Sequence, residues 1–419
     1  MPADNPALVA GKEMLARGNP AGAIACFLRA LATDRESAAK VGLTLCYALC
    51  GRLAEMTDFV IACEALPAGR IALLQTVLLE LVAGRAWETI SRIAEAFAGD
   101  AHLRALAIYY VGVAKLARHD DDAAWPCFQE FKAIVIPRHR EFPLVADEHF
   151  NLIFRQACMV EPPDSVAEIL AATKAPATPT VELVGEWRES GAAPVFLCCC
   201  DRRYFRRFGA ELCQSLADHR PNAVLHFHIA GPQEADLEFA RRLALRCPLS
   251  VLNVTVERTP LFSHPVYYAC NRFLVLPQLL ERYRRPIMSL DADSILLGGL
   301  HEIVEAAQGF DFACFNTGRN EPSSVFQATI LYFAATPGAR RLLDILGCLV
   351  LAKLGMPPVL SWMLDQGALY SAIHYAKKYA PEIAVIDLAA ATGRDMRSFI
   401  GGLGTADEKR NIMNAPAAA

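Results

Sequence analysis

The sequence predicts an α/β domain, its sheet largely parallel with helices on both faces, standing behind an all-helical region. Three observations carry that prediction. From Pro194 onward, short apolar runs alternate with helix-length segments. Across residues 1–160, apolar residues recur at helical spacing. Between the two, residues 161–193 turn rich in Pro, Ala and Thr ("EPPDSVAEILAATKAPATPTVEL"), the composition of a linker. The expected domains are therefore a helical region over 1–160, a linker over 161–193 and an α/β domain over 194–419.

The bulk numbers agree with folded, soluble domains. At 419 residues, 54% hydrophobic and 21% charged, the chain can build more than one core. A net charge of -4 gives no global basic field, which argues against nucleic acid as a partner. The 14 cysteines include "CYALC" (Cys46, Cys50) and "CCC" (Cys198 to Cys200), neither with zinc-site spacing, so buried thiols in a reducing compartment are expected. The first residues, "MPADNPALVAGKEM", lack a basic head followed by an apolar core. The longest apolar stretch, Leu342 to Gly355, carries Asp344 and Lys353 and reads as a buried helix. The expectation is a cytoplasmic protein.

In the helical region, "NPAGAIACFLRALATDRES" places Ala23, Phe27 and Ala30 on one face, and Gly112, Ala124, Phe128 and Phe131 form a similar pattern. Gly11, Ala23 and Phe27 have the mutual spacing of Gly112, Ala124 and Phe128, and the two sets stand 101 positions apart, near three periods of about 34 residues. This resembles tetratricopeptide helix pairs, in which a small residue lets two helices approach and a Phe fills the gap. The middle repeats, around "LLQTVLLELVAGRAWETISRIAEAFAG", are degraded, and a plain helical bundle is the alternative. Nothing here looks catalytic, so a role in binding a partner or joining chains is expected.

The α/β domain then runs in order. Pro194 to Cys200 reads as a buried strand and "YFRRFGAELCQSLADH" as a helix. Ala223 to Gly231 is a strand with His226 and His228 on one face, "EADLEFARRLALRC" a helix and "LSVLNVTV" a strand. "YYACNRFLVLPQLLERY" is a helix, and "PIMSL" a strand running into Asp291. In such sheets ligands bind at the carboxyl ends of the strands.

Asp291 and Asp293 sit at that kind of strand end, separated by Ala292. In an extended chain, residues i and i+2 point to the same side, so the two carboxylates are expected to converge while Ala292 turns away. Two close carboxylates repel, and a divalent cation relieves the repulsion. Mg²⁺ takes one or two carboxylates together with substrate phosphates, and Mn²⁺ also favours oxygen ligands. A diphosphate is the natural remaining ligand. The pattern alone also fits a solvated loop. It fits a haloacid-dehalogenase-type nucleophile less well, since that motif continues with Thr or Val where Ser294 and Ile295 stand here.

Context narrows these alternatives. The segment from Pro194 to about Gly404 resembles the GT-A fold of nucleotide-sugar glycosyltransferases, most nearly the retaining family 8 type, in four places taken in order. They are "FLCCCDRRYFRRFGAELCQSLADHRPNAVLHFHI", "YYACNRFLVLPQLLERYRRPIMSLDADSIL", "FQATILYFAATPGARRLLD" and "WMLDQGALYSAI". The resemblance implies that Asp201 contacts the nucleobase, that Tyr204 stacks on or beside it, and that Arg272 reaches the donor's phosphate or sugar. It further implies that Asp291 and Asp293 hold Mn²⁺ or Mg²⁺, that Gln327 lies beside the sugar, and that Asp365 and Gln366 face the reacting carbon. Two departures stand out. Gln327 replaces the usual Asn, and "SFIGGLGTADEKRN" has no His where the family often has a third metal ligand. Gly402 and Gly404 there can bring backbone N–H groups to a phosphate, with Lys409 or Arg410 supplying charge.

Other residues have plainer readings. Asp365 also suits a helix N-terminus as a cap. Arg202, Arg203, Arg206 and Arg207 suit a solvated helix face, and facing an anionic acceptor or a membrane surface in peripheral contact is the weaker reading. His226 and His228 read as core or surface histidines before metal ligands, His374 as helix packing, and Trp187 as part of the linker or a domain contact.

The sequence thus points to a metal-dependent glycosyltransferase that moves a sugar from a nucleotide-diphosphate donor; the resemblance implies a UDP-sugar and retention. The helical region would recruit a protein, lipid-linked or glycan acceptor. The rival is a non-catalytic tetratricopeptide-type interaction protein whose α/β half is a degenerate sugar-nucleotide binder. A third reading, a phosphatase, predicts phosphate release from simple phosphomonoesters.

Overall fold

The structure, a computed structural model, describes residues 5–33, 37–62, 74–75, 77–79, 81–82, 85–139, 157–173, 178–191, 194–262, 265–319, 321–356 and 363–404. It divides into two compact units, Met1–Cys158 and Met159–Ala419.

The first unit is helical: α1 (Pro6–Ala16), α2 (Pro20–Thr33), α3 (Ser37–Leu49), α4 (Leu53–Ala62), α5 (Trp87–Ala96), α6 (Ala101–Leu116) and α7 (Asp121–Val135). Side-chain caps set several helix starts. Asn5 accepts from the Ala7 amide, Asp100 from His102 and Leu103, and Asp120 from Ala123. Glycines set how closely neighbours pack. A Cβ on Gly11 of α1 would lie 2.8 Å from the Phe27 ring of α2, and one on Gly112 of α6 would lie 2.8 Å from the Phe128 ring of α7. Tyr109 adds its ring against Phe128 and Phe131, with centroids 5.7 and 5.6 Å away. The degraded middle repeats fall partly outside the described residues.

The second unit is a mixed α/β fold. Its eight-stranded sheet has the order β1–β4–β3–β2–β5–β8–β7–β9. The strands are β1 (Glu182–Leu183), β2 (Val195–Asp201), β3 (Val224–Ala230), β4 (Val251–Glu257), β5 (Ile287–Leu290), β7 (Phe312–Asn316), β8 (Phe326–Phe333) and β9 (Val385–Asp387). A separate pair joins β6 (Ser294–Leu296) to β10 (Ile400–Gly402). Strands β4, β3, β2 and β5 are mutually parallel. The expectation of a largely parallel sheet holds for that half only, because β8 runs antiparallel to both β5 and β7. The reason is connection length. Residues 317–325 join β7 to β8, too few for the crossover of a dozen or more that a parallel neighbour needs.

One face of the sheet packs Phe196, Cys198, Cys200, Leu225 and Phe227 against Leu212 and Leu216 of α9 (Arg202–His219) and Leu237 of α10 (Glu234–Arg246). The other face meets α11 (Pro265–Tyr283). There His226 is hydrogen-bonded at both ring nitrogens, to the Tyr283 hydroxyl and the Thr255 Oγ1, each at 2.8 Å.

The stretch 161–193, expected as a linker, is instead built into the second unit wherever it is described. Two short helices, α12 (Leu300–Ala306) and α13 (Pro322–Val325), precede α14 (Pro337–Leu354) and α15 (Leu364–Tyr379), and Pro163–Ala172 forms α8, which packs on α14 and α15. Strand β1 adds to the β4 edge. Trp187 stacks on Tyr283 at 4.6 Å beneath the Arg282 guanidinium. Composition signals a break in periodic patterning here, and the apolar side chains in it, Val166 and Trp187, find partners. Among the described residues no helix is long and apolar enough to cross a membrane.

Candidate functional site

The parallel half of the sheet reverses its order at β2, which has β3 on one side and β5 on the other. At such a point the loops leaving two neighbouring strands diverge to opposite faces and leave a crevice. Asp201 ends β2 and Asp291 follows β5 directly, with Cys198 and Leu290 paired just below them.

Asp201 is the N-cap of α9, its Oδ1 accepting from the Arg203 and Tyr204 amides at 3.1 and 2.8 Å. Burial raises its pKa in spite of those bonds. Tyr204 lies one turn on. Its pKa is pushed up to about 12, first by burial and then by the Asp293, Asp201 and Asp291 carboxylates.

Asp291 and Asp293 are joined by a different local structure from the one expected. The segment is a turn, closed by the Ser294 amide on the Asp291 carbonyl at 3.3 Å, and not an extended run. Ala292 is buried in the core beneath it. A second strand fixes the turn from outside. Strand β10 pairs Gly402 with Ser294, and the Leu403 amide donates to the Asp293 carbonyl at 2.6 Å. Gly404 follows with φ +74°, a left-handed backbone that glycine adopts without strain. Gly402 and Gly404 thus flank the acidic turn. Lys409 and Arg410 lie outside the described residues, as does Trp362.

Arg272 on α11 ties the site together. Its Nη1 donates to the Ala328 carbonyl of β8 at 2.9 Å, and its Nη2 meets Asp291 Oδ1 at 2.9 Å and Asp365 Oδ2 at 3.6 Å. Its side chain is 5% exposed. Burial opposes the charge, and the Asp291 and Asp365 carboxylates more than offset it, so its pKa is raised. Asp365 sits in the first turn of α15. Burial raises its pKa, Arg272 pulls it down and Asp291 adds to the rise. Its Oδ1 accepts from the Gln366 amide at 2.9 Å, which places Gln366 beside it.

Gln327 is half-buried near the start of β8, on the same edge. Two residues along, Thr329 shares its face and stands beside Asp291, whose amide donates to the Thr329 carbonyl at 3.3 Å. Sequence reasoning passed over Thr329. The available signal was the two-residue alternation inside "FQATILYF".

Several suggested roles fall away. Arg206 pairs with Asp236, and Arg207 with Glu211 at 2.9 Å, partners that suit the solvated helix face. His226 and His228 are fully buried, both with pKa values drawn down to about 3 by burial, and their bonds go to Tyr283 and Thr255, as suits core histidines. His374 packs on the Tyr370 ring at 4.3 Å.

The donor set suits a hard divalent ion in part. No group of three or more His, Cys, Asp or Glu ligands is present among the described residues. However, four carboxylates, Asp201, Asp291, Asp293 and Asp365, lie at this edge with the buried guanidinium of Arg272, and the Tyr204 phenol, raised first by burial, is raised further by three of them. Two carboxylates on an acidic edge fit an ion that takes its remaining ligands from phosphates.

No protein-family model and no curated protein matches the chain. Solved structures similar to it include a bifunctional glycosyltransferase, WbbM, in its apo state, at 15% identity and TM-score 0.33, covering 45% of this chain and 39% of that one. The apo glycosyltransferase GlyE of Streptococcus pneumoniae TIGR4 has 13% identity and TM-score 0.33, covering 46% and 44%. Apo mouse xyloside xylosyltransferase 1 has 16% identity and TM-score 0.31, covering 46% and 84%. This chain spans less than half the length of the first two, and at such scores the likeness carries no argument about fold or activity.

Proposed function

We propose that the second unit transfers a sugar from a nucleotide-diphosphate donor, a UDP-sugar, to an acceptor with the help of Mn²⁺ or Mg²⁺. One observation carries the reading: polar side chains from separate segments converge on the carboxyl edge of the sheet at its switch point. Strand order gives the site a direction. Asp201 and Tyr204 at β2 suit a nucleoside, Asp291 and Asp293 at β5 suit a diphosphate, and Gln327 and Thr329 at β8 suit the sugar. Arg272 reaches all but the nucleoside end.

Asp291 and Asp293 would hold the cation, which supplies charge neutralisation to a departing diphosphate. Arg272, fixed by Asp291, Asp365 and the Ala328 carbonyl, presents a guanidinium that needs no reorganisation when negative charge develops nearby. Gly402 and Gly404 would offer backbone N–H groups beside the acidic turn. Asp365 meets the same Arg272 Nη2 as Asp291, a place from which a carboxylate can stabilise an oxocarbenium-like sugar or attack it. Retention of configuration belongs to this proposal through the family resemblance. So does a helical, tetratricopeptide-like first unit that recruits a protein, lipid-linked or glycan acceptor.

Calorimetry with UDP, with and without Mn²⁺, tests the reading, followed by donor hydrolysis across a panel of nucleotide sugars. Asp293→Ala should abolish metal-dependent nucleotide binding and leave the fold intact. Unchanged binding in that variant sinks the assignment. A second reading is a binder without turnover, favoured by the ion pair that already occupies Asp291. It predicts metal-dependent UDP affinity and no product from any donor.

A further inference from the structure

Helix α15 carries Asp365 into the site, and a short segment from the start of the second unit is fastened across its first turns. Gly367 stands two residues after Asp365. A Cβ there would lie 2.8 Å from Met159 Cβ and 3.2 Å from the Met159 carbonyl carbon and oxygen, so the absent side chain is what admits the segment. The Glu161 amide donates to Ser371 Oγ at 2.8 Å, and that hydroxyl donates to the Gly367 carbonyl at 2.8 Å. The Glu161 carboxylate pairs with Lys353 of α14, both side chains nearly buried. The segment is therefore tied to two helices at once, by packing, by hydrogen bonds and by charge.

The start of α15 has reason to need this. Met363, its N-cap, has φ +62°, a left-handed conformation that a residue with a side chain keeps only where its surroundings impose it. Asp365 is also pulled by Arg272 and repelled by Asp291, so its place depends on how the helix is held.

We propose that Met159, Glu161 and Ser371 are positioning residues for Asp365, a clasp that fixes the first two turns of α15 against the site. This rests on the sugar-transfer reading for its functional consequence and on geometry alone for its structural one. Ser371 is no ligand contact, because its hydroxyl is buried and spent on Glu161 and Gly367.

The test compares Ser371→Ala, which removes the clasp's hydroxyl, with Ser371→Thr, which keeps it, and Glu161→Gln, which keeps shape and removes charge. Hydrogen exchange of amides 366–369 should speed up by about tenfold in Ser371→Ala and recover in Ser371→Thr, while amides 376–379 at the far end of α15 stay as in the wild type. UDP affinity with Mn²⁺ should remain within about twofold, while kcat for donor consumption falls by about tenfold with KM unchanged. Combining Ser371→Ala with Asp365→Asn should cost little more than Asp365→Asn alone. Unaltered exchange at 366–369, or acceleration spread evenly along α15, overturns the clasp. Loss of UDP affinity in the wild type overturns the sugar-transfer reading, and the exchange comparison then decides the clasp by itself.

Discussion

Acid should unfold the second unit through His226 and His228, and the size of the effect follows from their burial. Both rings lie between the sheet and α11, where desolvation takes their pKa values from 6.5 to about 3. Hydrogen bonds to Tyr283 and Thr255 leave His226 no room to hydrate a charge. The folded values lie below the unfolded one, so the unfolded chain binds protons first. Stability contributed by the neutral rings is complete above pH 6.5 and is lost as pH falls from there towards 3. At pH 5 the linkage costs about 2 kcal/mol per ring, or about 4 kcal/mol for both. Asp201 and Asp365 work the other way, since burial raises their folded pKa values and protonation then favours the fold. The histidine share is therefore read as a difference. Urea unfolding at pH 8 and pH 5 would be followed by fluorescence of Trp187, which stacks on Tyr283 and stands 5.7 Å from the His226 ring. Trp87, Trp125 and Trp362 would be replaced by Phe. The His226→Gln, His228→Gln double variant should lose about 4 kcal/mol less than its parent over that interval. An equal loss in the two proteins would refute the argument.

Two further outcomes follow from named contacts. Arg272→Met leaves Asp365 buried without its cation and should cost about 3–5 kcal/mol of stability, measured as a lower unfolding midpoint, together with UDP affinity; an unchanged midpoint would mean the pair is solvated. Gly112→Ala drives a methyl into the Phe128 ring and should destabilise the first unit by about 1–3 kcal/mol, read from Trp125 fluorescence, with UDP binding by the second unit unaffected.

Much of the parallel half was legible because its strands are nearly continuous apolar runs. "PIMSL" corresponds to Ile287–Leu290, and "AVLHFHIAG" to Val224–Ala230, each within a residue or so. The acidic turn was legible for the same reason: charge directly after such a run marks a strand end. The antiparallel setting of β8 was not, since a strand's neighbours are chosen by connection length and space and not by its own residues. Arg272 became a candidate through resemblance alone. Its partners Asp291, Ala328 and Asp365 sit on three other segments, and nothing local to the α11 sequence announces them. Thr329 stayed hidden because a β-branched residue in an apolar strand reads as packing. The packing of the described parts of 161–193 was hidden because Pro and Ala content reports missing periodicity, whereas one half-buried tryptophan is enough to anchor a segment.

The pairing of β10 with β6 has a consequence for how the molecule is made. Asp201 and Asp291 leave the ribosome long before Gly402, yet the turn bearing Asp293 gains its outer brace only when Leu403 arrives. A nascent chain halted before residue 400 would carry every acidic group of the crevice and lack the strand that holds two of them in register. The acidic turn therefore stays without its outer brace until synthesis has passed that strand.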